Sequence, residues 1–392
     1  MSISKKITIL VAIVAIALVG YFLVKFKGNA VDMQKNENKD QSGKMTKDYS
    51  KELFNLERGL DGTTSASIVL DIESQVRKIA KNNLSPDEDA QAKLLLARIL
   101  NYRVSGSDSP IAGMNLLKEV AKNEKYPNLW RSLAFQGISD TIKDVADDEY
   151  LKIILEDDYF KSMRNEAYPQ GGTIKNLCQA SYDLYPLPLC SYRIANFDLF
   201  RLLDDRMIHN LNDQQRADYM KDAKEKIDVA EKLMSNYPLE YMNLFDKGKS
   251  EFWKPFIRTK LYLLGEIKDK NFMVEGAKNF EDGVEIFSNG KIWPKPQGFL
   301  TYFYATSVAE VYREEKIDKI RELTDDLVER YKQFPKIPFF IYTRKLSDTK
   351  YNNTYDAMQF ILLSQLNPNF KNLLLELGWS EERLNTPFPK LP

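Results

Sequence analysis

The chain has 392 residues, with 56 Lys and Arg balanced by 56 Asp and Glu, one His and two Cys. The zero balance argues against a general nucleic-acid binder, which carries a basic excess. One His and two Cys cannot build a multi-ligand His or Cys metal site, and no cofactor is expected, because there is no GxxxxGK[ST] loop, GxGxxG, HExxH or GxSxG.

The first element is ITILVAIVAIALVGYFLV, residues 7–24, preceded by Lys5-Lys6 and closed by Lys25 and Lys27. As a helix it is ~27 Å long, about one hydrocarbon core. We read residues 1–25 as a transmembrane signal anchor that meets the lipid bilayer through residues 7–24. The alternative is a signal peptide cleaved near Gly28-Asn29-Ala30. Against it, the apolar run exceeds the usual ~7–15 residue core, and two lysines separate it from Ala30. A strict lysine count favours a domain inside the cell. Large domains, however, translocate largely regardless of flanking charge, and secretory signals start short and basic. The expectation is a single-pass membrane protein with its domain outside the cytoplasm. Residues 26–50, rich in Lys, Asn, Asp and Gly, read as a flexible linker.

From residue 51 the pattern is helical. Ile68, Val69, Ile72, Val76 and Ile79 recur at three- and four-residue spacing, one face of a helix. Ser85-Pro86-Asp87-Glu88 is an N-cap, a first-turn proline and the end of a capping box. The helix after it carries Leu95, Leu96, Ile99 and Leu100; the next starts at Ser109-Pro110 and carries Leu116, Leu117 and Val120. Further helices are expected near 128–145, 147–166, 174–184, 189–209, 213–236, 249–268, 271–288, 297–314, 316–333, 354–364 and 368–376, joined by short connections marked by Pro, Gly or Asn. No segment alternates long enough for a sheet. Gly171-Gly172, after Tyr168-Pro169, divides the domain into helical-repeat subdomains 51–170 and 171–384, and the proline-rich 385–392 reads as an extended tail.

Many helices with short connections read as antiparallel pairs stacked into an α-solenoid, an all-α class. Leu96-Ala97 and Leu100 are followed by Ala112 and Leu116; Leu264-Gly265 by Gly276, Phe280 and Gly283; Ala223, Ile227 and Ala230 repeat the second half. At these residues, about a third of the chain, the sequence resembles tetratricopeptide (TPR) repeats. The resemblance implies TPR-like helix pairs and a scaffold or adaptor role, binding a protein or peptide partner.

Two readings attach to most site candidates. Cys178 and Cys190 are an expected disulfide if the domain meets an oxidising compartment, or two buried free thiols if not. With helices ~8–10 Å apart, pairing is expected to require the first helix to stop near Ser181. His209, at a helix end, complements the dipole more readily than it catalyses. The adjacent acids Asp147-Asp148-Glu149, Glu156-Asp157-Asp158, Asp204-Asp205 and Asp325-Asp326 read as capping or solvated residues. The alternative function is a membrane-tethered, all-helical glycan-active enzyme of the α/α toroid type, which needs two acids ~5–9.5 Å apart across a cleft. Tyr182, Tyr185, Tyr192, Phe197, Phe200, Phe299, Tyr302 and Phe303 read as core or as a peptide-binding face. Trp293, Tyr302 and Tyr304 are the partner-binding candidates, with Trp293 in a Pro-rich loop. No catalytic residue is assigned.

Overall fold

The computed structural model describes residues 48–61, 66–101, 110–145, 156–166, 168, 171–237, 244–270, 294–335, 338–352 and 354–387. The expected anchor, the linker up to residue 47, the helix at 271–288 and the last residues of the tail lie outside them. Among the described residues the fold is all-α, with sixteen α-helices and no strand, and no helix is long and apolar enough to cross a membrane.

The helices are α1 Ser50–Asp61, α2 Ala66–Ile79, α3 Pro86–Asn101, α4 Pro110–Lys122, α5 Asn128–Val145, α6 Asp158–Lys161, α7 Gly171–Leu184 and α8 Pro188–Ile208. They continue as α9 Asp213–Ser235, α10 Leu244–Leu263, α11 Pro294–Tyr312, α12 Ile317–Gln333, α13 Pro338–Lys345, α14 Tyr355–Leu366, α15 Pro368–Glu376 and α16 Glu381–Leu384. Local sequence sets their starts. Ser85 and Glu88 form the expected reciprocal box, with Ser85 N donating to Glu88 Oε2 at 2.8 Å and Glu88 N to Ser85 Oγ at 3.3 Å. Asn212 and Gln215 repeat it at α9, and Pro188 and Pro368 occupy first turns, where no backbone N–H is needed.

Packing mostly follows chain order. α3 packs on α4, α4 on α5, α5 on α7, α7 on α8, α8 on α9 and α10, α10 on α11, and α11 on α12. Among the described residues the larger apolar clusters sit along this series, centred on α1–α3, on α3–α5 with α7, on α8–α10 and on α11–α15. A solenoid whose repeats touch only their neighbours would stop there. Here α13 also meets α5, and α14 meets α8; Tyr355 N donates to Asp204 Oδ1 at 2.8 Å across that second contact. Gly171 and Gly172, expected to separate two subdomains, open α7, which packs on both α5 and α8. Residues 162–165, expected to be helical, are turn and coil after the short α6.

Three sequence expectations are corrected by this packing. On α2, Val69, Ile72, Val76 and Ile79 are buried, but Ile68 is 47% exposed; a stripe wide enough to include it exceeds what α1 and α3 cover. Gly265 is not a close-contact residue inside a first helix. Its φ is +82°, Gly265 N donates to Tyr262 O and Glu266 N to Leu261 O, and it ends α10 as a left-handed cap. Between α3 and α4 the small residue at the crossing is Gly113 rather than Ala112. A Cβ there would lie 3.0 Å from Ala97 O and 3.2 Å from Leu100 Cβ. Gly113→Ala is therefore expected to destabilise the chain by about 1–3 kcal/mol in urea unfolding, despite alanine's better helix propensity.

Candidate functional site

Cys178 and Cys190 are joined as a disulfide, with Cα atoms 4.8 Å apart. Yet α7 does not stop near Ser181; it runs to Leu184. Facing Cα atoms each stand ~2.3 Å off their helix axis, so their gap is ~4.6 Å less than the axis spacing. Axis spacing therefore overstates the separation of Cα atoms that face each other, and α7 need not stop early for the pair to form. Ser132 of α5 braces the turn that follows, its Oγ 2.7 Å from both Ser181 Oγ and Tyr185 O.

Of the expected partner-binding aromatics, Trp293 lies outside the described residues. Tyr302 is buried rather than presented to a partner: its hydroxyl donates to Asp356 Oδ1 at 2.9 Å, and its ring packs on Phe360. Tyr304 is half-buried against the α11–α15 cluster. Helical spacing marks a face but not whether another helix covers it, and α14 covers this one. His209 is exposed, with φ 47° as the left-handed cap of α8. Among the adjacent acids, Asp147-Asp148-Glu149 lie outside the described residues. Asp157 caps α6, Asp205 accepts from Leu211 N and Arg216 Nε, and Asp325 accepts from Asn367 and Asn369. Asp204 departs from the capping or solvated expectation: it is largely desolvated against Tyr355 N, and burial pushes its carboxyl up to about 6.

The most elaborate partly exposed polar arrangement lies where α7, α8 and α9 meet. Lys175 of α7 donates to Asp198 Oδ1 of α8 at 2.5 Å and lies 3.5 Å from Asp222 Oδ2 of α9. Its ammonium faces the rings of Phe197 and Tyr219 at 5.6 and 5.5 Å. Lys226 of α9 pairs with Asp222 Oδ1 at 3.2 Å and sits 4.1 Å over the Tyr182 ring of α7. Arg201 lies over Tyr168, which is edge-on to Phe197. The Asp198 side chain is fully buried and hydrogen-bonds the Asp222 carboxyl through a shared proton. Burial and the Asp222 charge push Asp198 up to about 7, against the pull of Lys175. Asp222 is held below the usual range, its own burial outweighed by the Asp198 hydrogen bond and the two lysines. Tyr182, Phe197, Tyr219 and Asp222 are half-buried, so the arrangement reaches solvent.

Two further polar networks are internal. Asp140 of α5 accepts from Arg193 Nη2 of α8 and from Lys249 Nζ of α10, the latter at 2.9 Å; Arg193 Nη1 donates to Ser139 Oγ at 2.7 Å, and Gln136 Nε2 to Asp246 Oδ2 at 2.9 Å. The second gathers Tyr355 and Gln359 of α14 on Glu310 of α11, with Lys260 of α10 wholly buried over the Phe200 ring at 4.5 Å. Burial drives that amine well below its ordinary pKa, opposed by Glu310 and Asp356.

None of the charged residues in these three arrangements was marked by its sequence. Asp198, Asp140 and Lys260 stand alone along the chain, and each acquires partners from two other helices only after folding. Among the described residues no group of three or more His, Cys, Asp or Glu is placed to hold a metal ion. No protein-family model, curated protein or solved structure matches this chain.

Proposed function

We propose that this chain is a membrane-anchored, TPR-like helical scaffold or adaptor that binds another protein outside the cytoplasm. The observation that carries the reading is the face of α7, α8 and α9, where half-buried Tyr182, Phe197 and Tyr219 alternate with Lys175, Lys226 and Asp222. Aromatic and paired charged groups held on rigid helices are what protein-binding hot spots use. The apolar run at residues 7–24 supports the anchor, and a disulfide between α7 and α8 supports an oxidising compartment. The glycan-active alternative draws on Asp198 and Asp222, two neighbouring acids whose proton affinities are shifted in opposite directions. These two carboxyls hydrogen-bond each other, closer than the ~5–9.5 Å that glycoside hydrolysis uses, so that pair favours the scaffold.

Proximity labelling from the intact chain, compared with a chain lacking residues 1–47, tests the reading. A discrete set of proteins labelled only by the intact chain is expected. Identical background labelling from both would contradict it. In the same cells, protein isolated without reductant is expected to resist alkylation at both cysteines, and two alkylated thiols would move the domain into the cytoplasm.

A further inference from the structure

We infer that Asp198 and Asp222 form a proton-gated clasp between α8 and α9. It holds the docking face in its binding arrangement while the two carboxyls share a proton, and releases it when that proton leaves. This rests on the scaffold reading and names the regulation of its face.

The geometry supplies the gate. Lys175 of α7 places one ammonium 2.5 Å from Asp198 Oδ1 and 3.5 Å from Asp222 Oδ2, which draws carboxyls from two helices to a single cation. Asp198 Oδ2 is buried with no donor group of the protein in reach, and the hydrogen bond left to this carboxyl is the one to Asp222. Ionised carboxylates only accept, so that bond exists only with a proton between the two. Without the proton, the same contact becomes a like-charge pair inside the fold, and the two groups titrate as a unit.

The surrounding charges set the pH at which this happens. Lys175 faces Asp198 from α7; Asp222 faces it from α9, with Lys226 and Glu225 behind. On α8 itself Arg201, one turn on, lies over Tyr168 and reaches Asn210. Burial, with the Asp222 charge, outweighs the pull of Lys175 and places the transition at about 7.

Release has one direction. The Asp198 side chain is 0% exposed and cannot carry its charge to water, whereas that of Asp222 is 33% exposed. Above the transition Asp222 swings outward. Lys226, which pairs with Asp222 and lies over Tyr182, is disturbed with it, as is Tyr219, one turn before Asp222. These residues make up the docking face. A partner therefore binds more tightly on the acid side, where the clasp holds the side chains in place before contact.

Thermal unfolding of the full chain between pH 6 and pH 8 tests the clasp. A carboxyl whose folded value is raised contributes stability below its unfolded value near 4 and loses it as pH rises through the folded value. Asp204 and Asp246 also titrate near 6, so the readout is a difference between chains. The wild-type midpoint is expected to fall over this range by about 2 °C more than that of Asp198→Asn, whose amide keeps a donor toward Asp222 at every pH. Should Asp198→Asn fail to fold, Asp222→Asn on the partly exposed side supplies the second measurement; its amide donates to Asp198 and is expected to remove the same part of the fall. Equal falls in wild type and variant overturn the clasp and leave the scaffold reading standing. The second arm places a photoreactive residue at Gln179 of α7 and irradiates isolated membranes. The partner adduct is expected to drop about ten-fold from pH 6 to pH 8, as the protonated fraction does for a group titrating near 7. Equal adduct at both pH values overturns the gating alone. No adduct at either pH overturns it together with the docking face, and the unfolding arm tells the two failures apart.

Discussion

Asp140→Ala is expected to lower the unfolding free energy by about 3–5 kcal/mol, the usual cost of removing one partner from a buried ion pair. Among the described residues its carboxylate is the only acidic partner found for Arg193, and it accepts from Lys249 of α10 as well. Arg193 is buried on α8, with Nη1 on Ser139 and Nε without a partner, so alanine would strand a charge between α5 and α8. Burial by itself would raise the Asp140 pKa, but Arg193 and Lys249 outweigh it and hold the carboxyl well below the usual carboxylate range. A depressed folded-state pKa contributes stability above the unfolded value near 4, and that contribution is lost as pH falls through the folded value. Asp246, on the same hub, has the opposite sign. Burial and the Asp140 charge push it up to about 6, so its contribution is full below about pH 4 and is lost as pH rises through 6. Urea unfolding at pH 7 checks the Asp140 variant, and a change under about 1 kcal/mol would mean that α5, α8 and α10 are not held through this carboxylate.

Replacing both cysteines, Cys178→Ala with Cys190→Ala, is expected to lower stability by about 2–5 kcal/mol. Part of that is chain entropy, since the bond closes a short loop between α7 and α8 in the unfolded state. Part is packing, since both residues are wholly buried beside Leu187 and Ile194. Cys190 lies one helical turn before Arg193, and Cys178 Sγ lies 3.5 Å from Ser139 Oγ, which receives the Arg193 guanidinium. The disulfide and the Asp140 hub therefore share α8 and Ser139, and their losses are expected not to add in a double-mutant cycle. Additive losses would show two independent staples.

Local chemistry was the legible part of this chain. The Ser85–Glu88 box and the span of α5 at 128–145 follow from short-range rules, and the structure has them where those rules place them. Coverage was not legible. Ile68 and Tyr302 both sit on apolar helical stripes, yet one is exposed and the other buried, because only the second meets another helix. Gly265 shows the same limit from the backbone side: Leu-Gly fits a repeat's first helix as well as it fits a helix end, and only the positive φ distinguishes them. The site was the least legible element. Adjacent acids such as Asp204-Asp205 attract attention in sequence, but the acids that meet in space are Asp198 and Asp222, one on α8 and one on α9. Pairing across helices leaves no spacing rule to read.

The central claim is that a partner protein docks on the face of α7, α8 and α9. Site-specific photo-crosslinking in intact cells tests it most directly, with a photoreactive residue at Gln179, half-buried on α7, or at Ser74, exposed on α2. The account predicts a discrete protein adduct from position 179, lost when Asp222→Asn is added and absent from position 74. No adduct from position 179, or the same adduct from both positions, would contradict it.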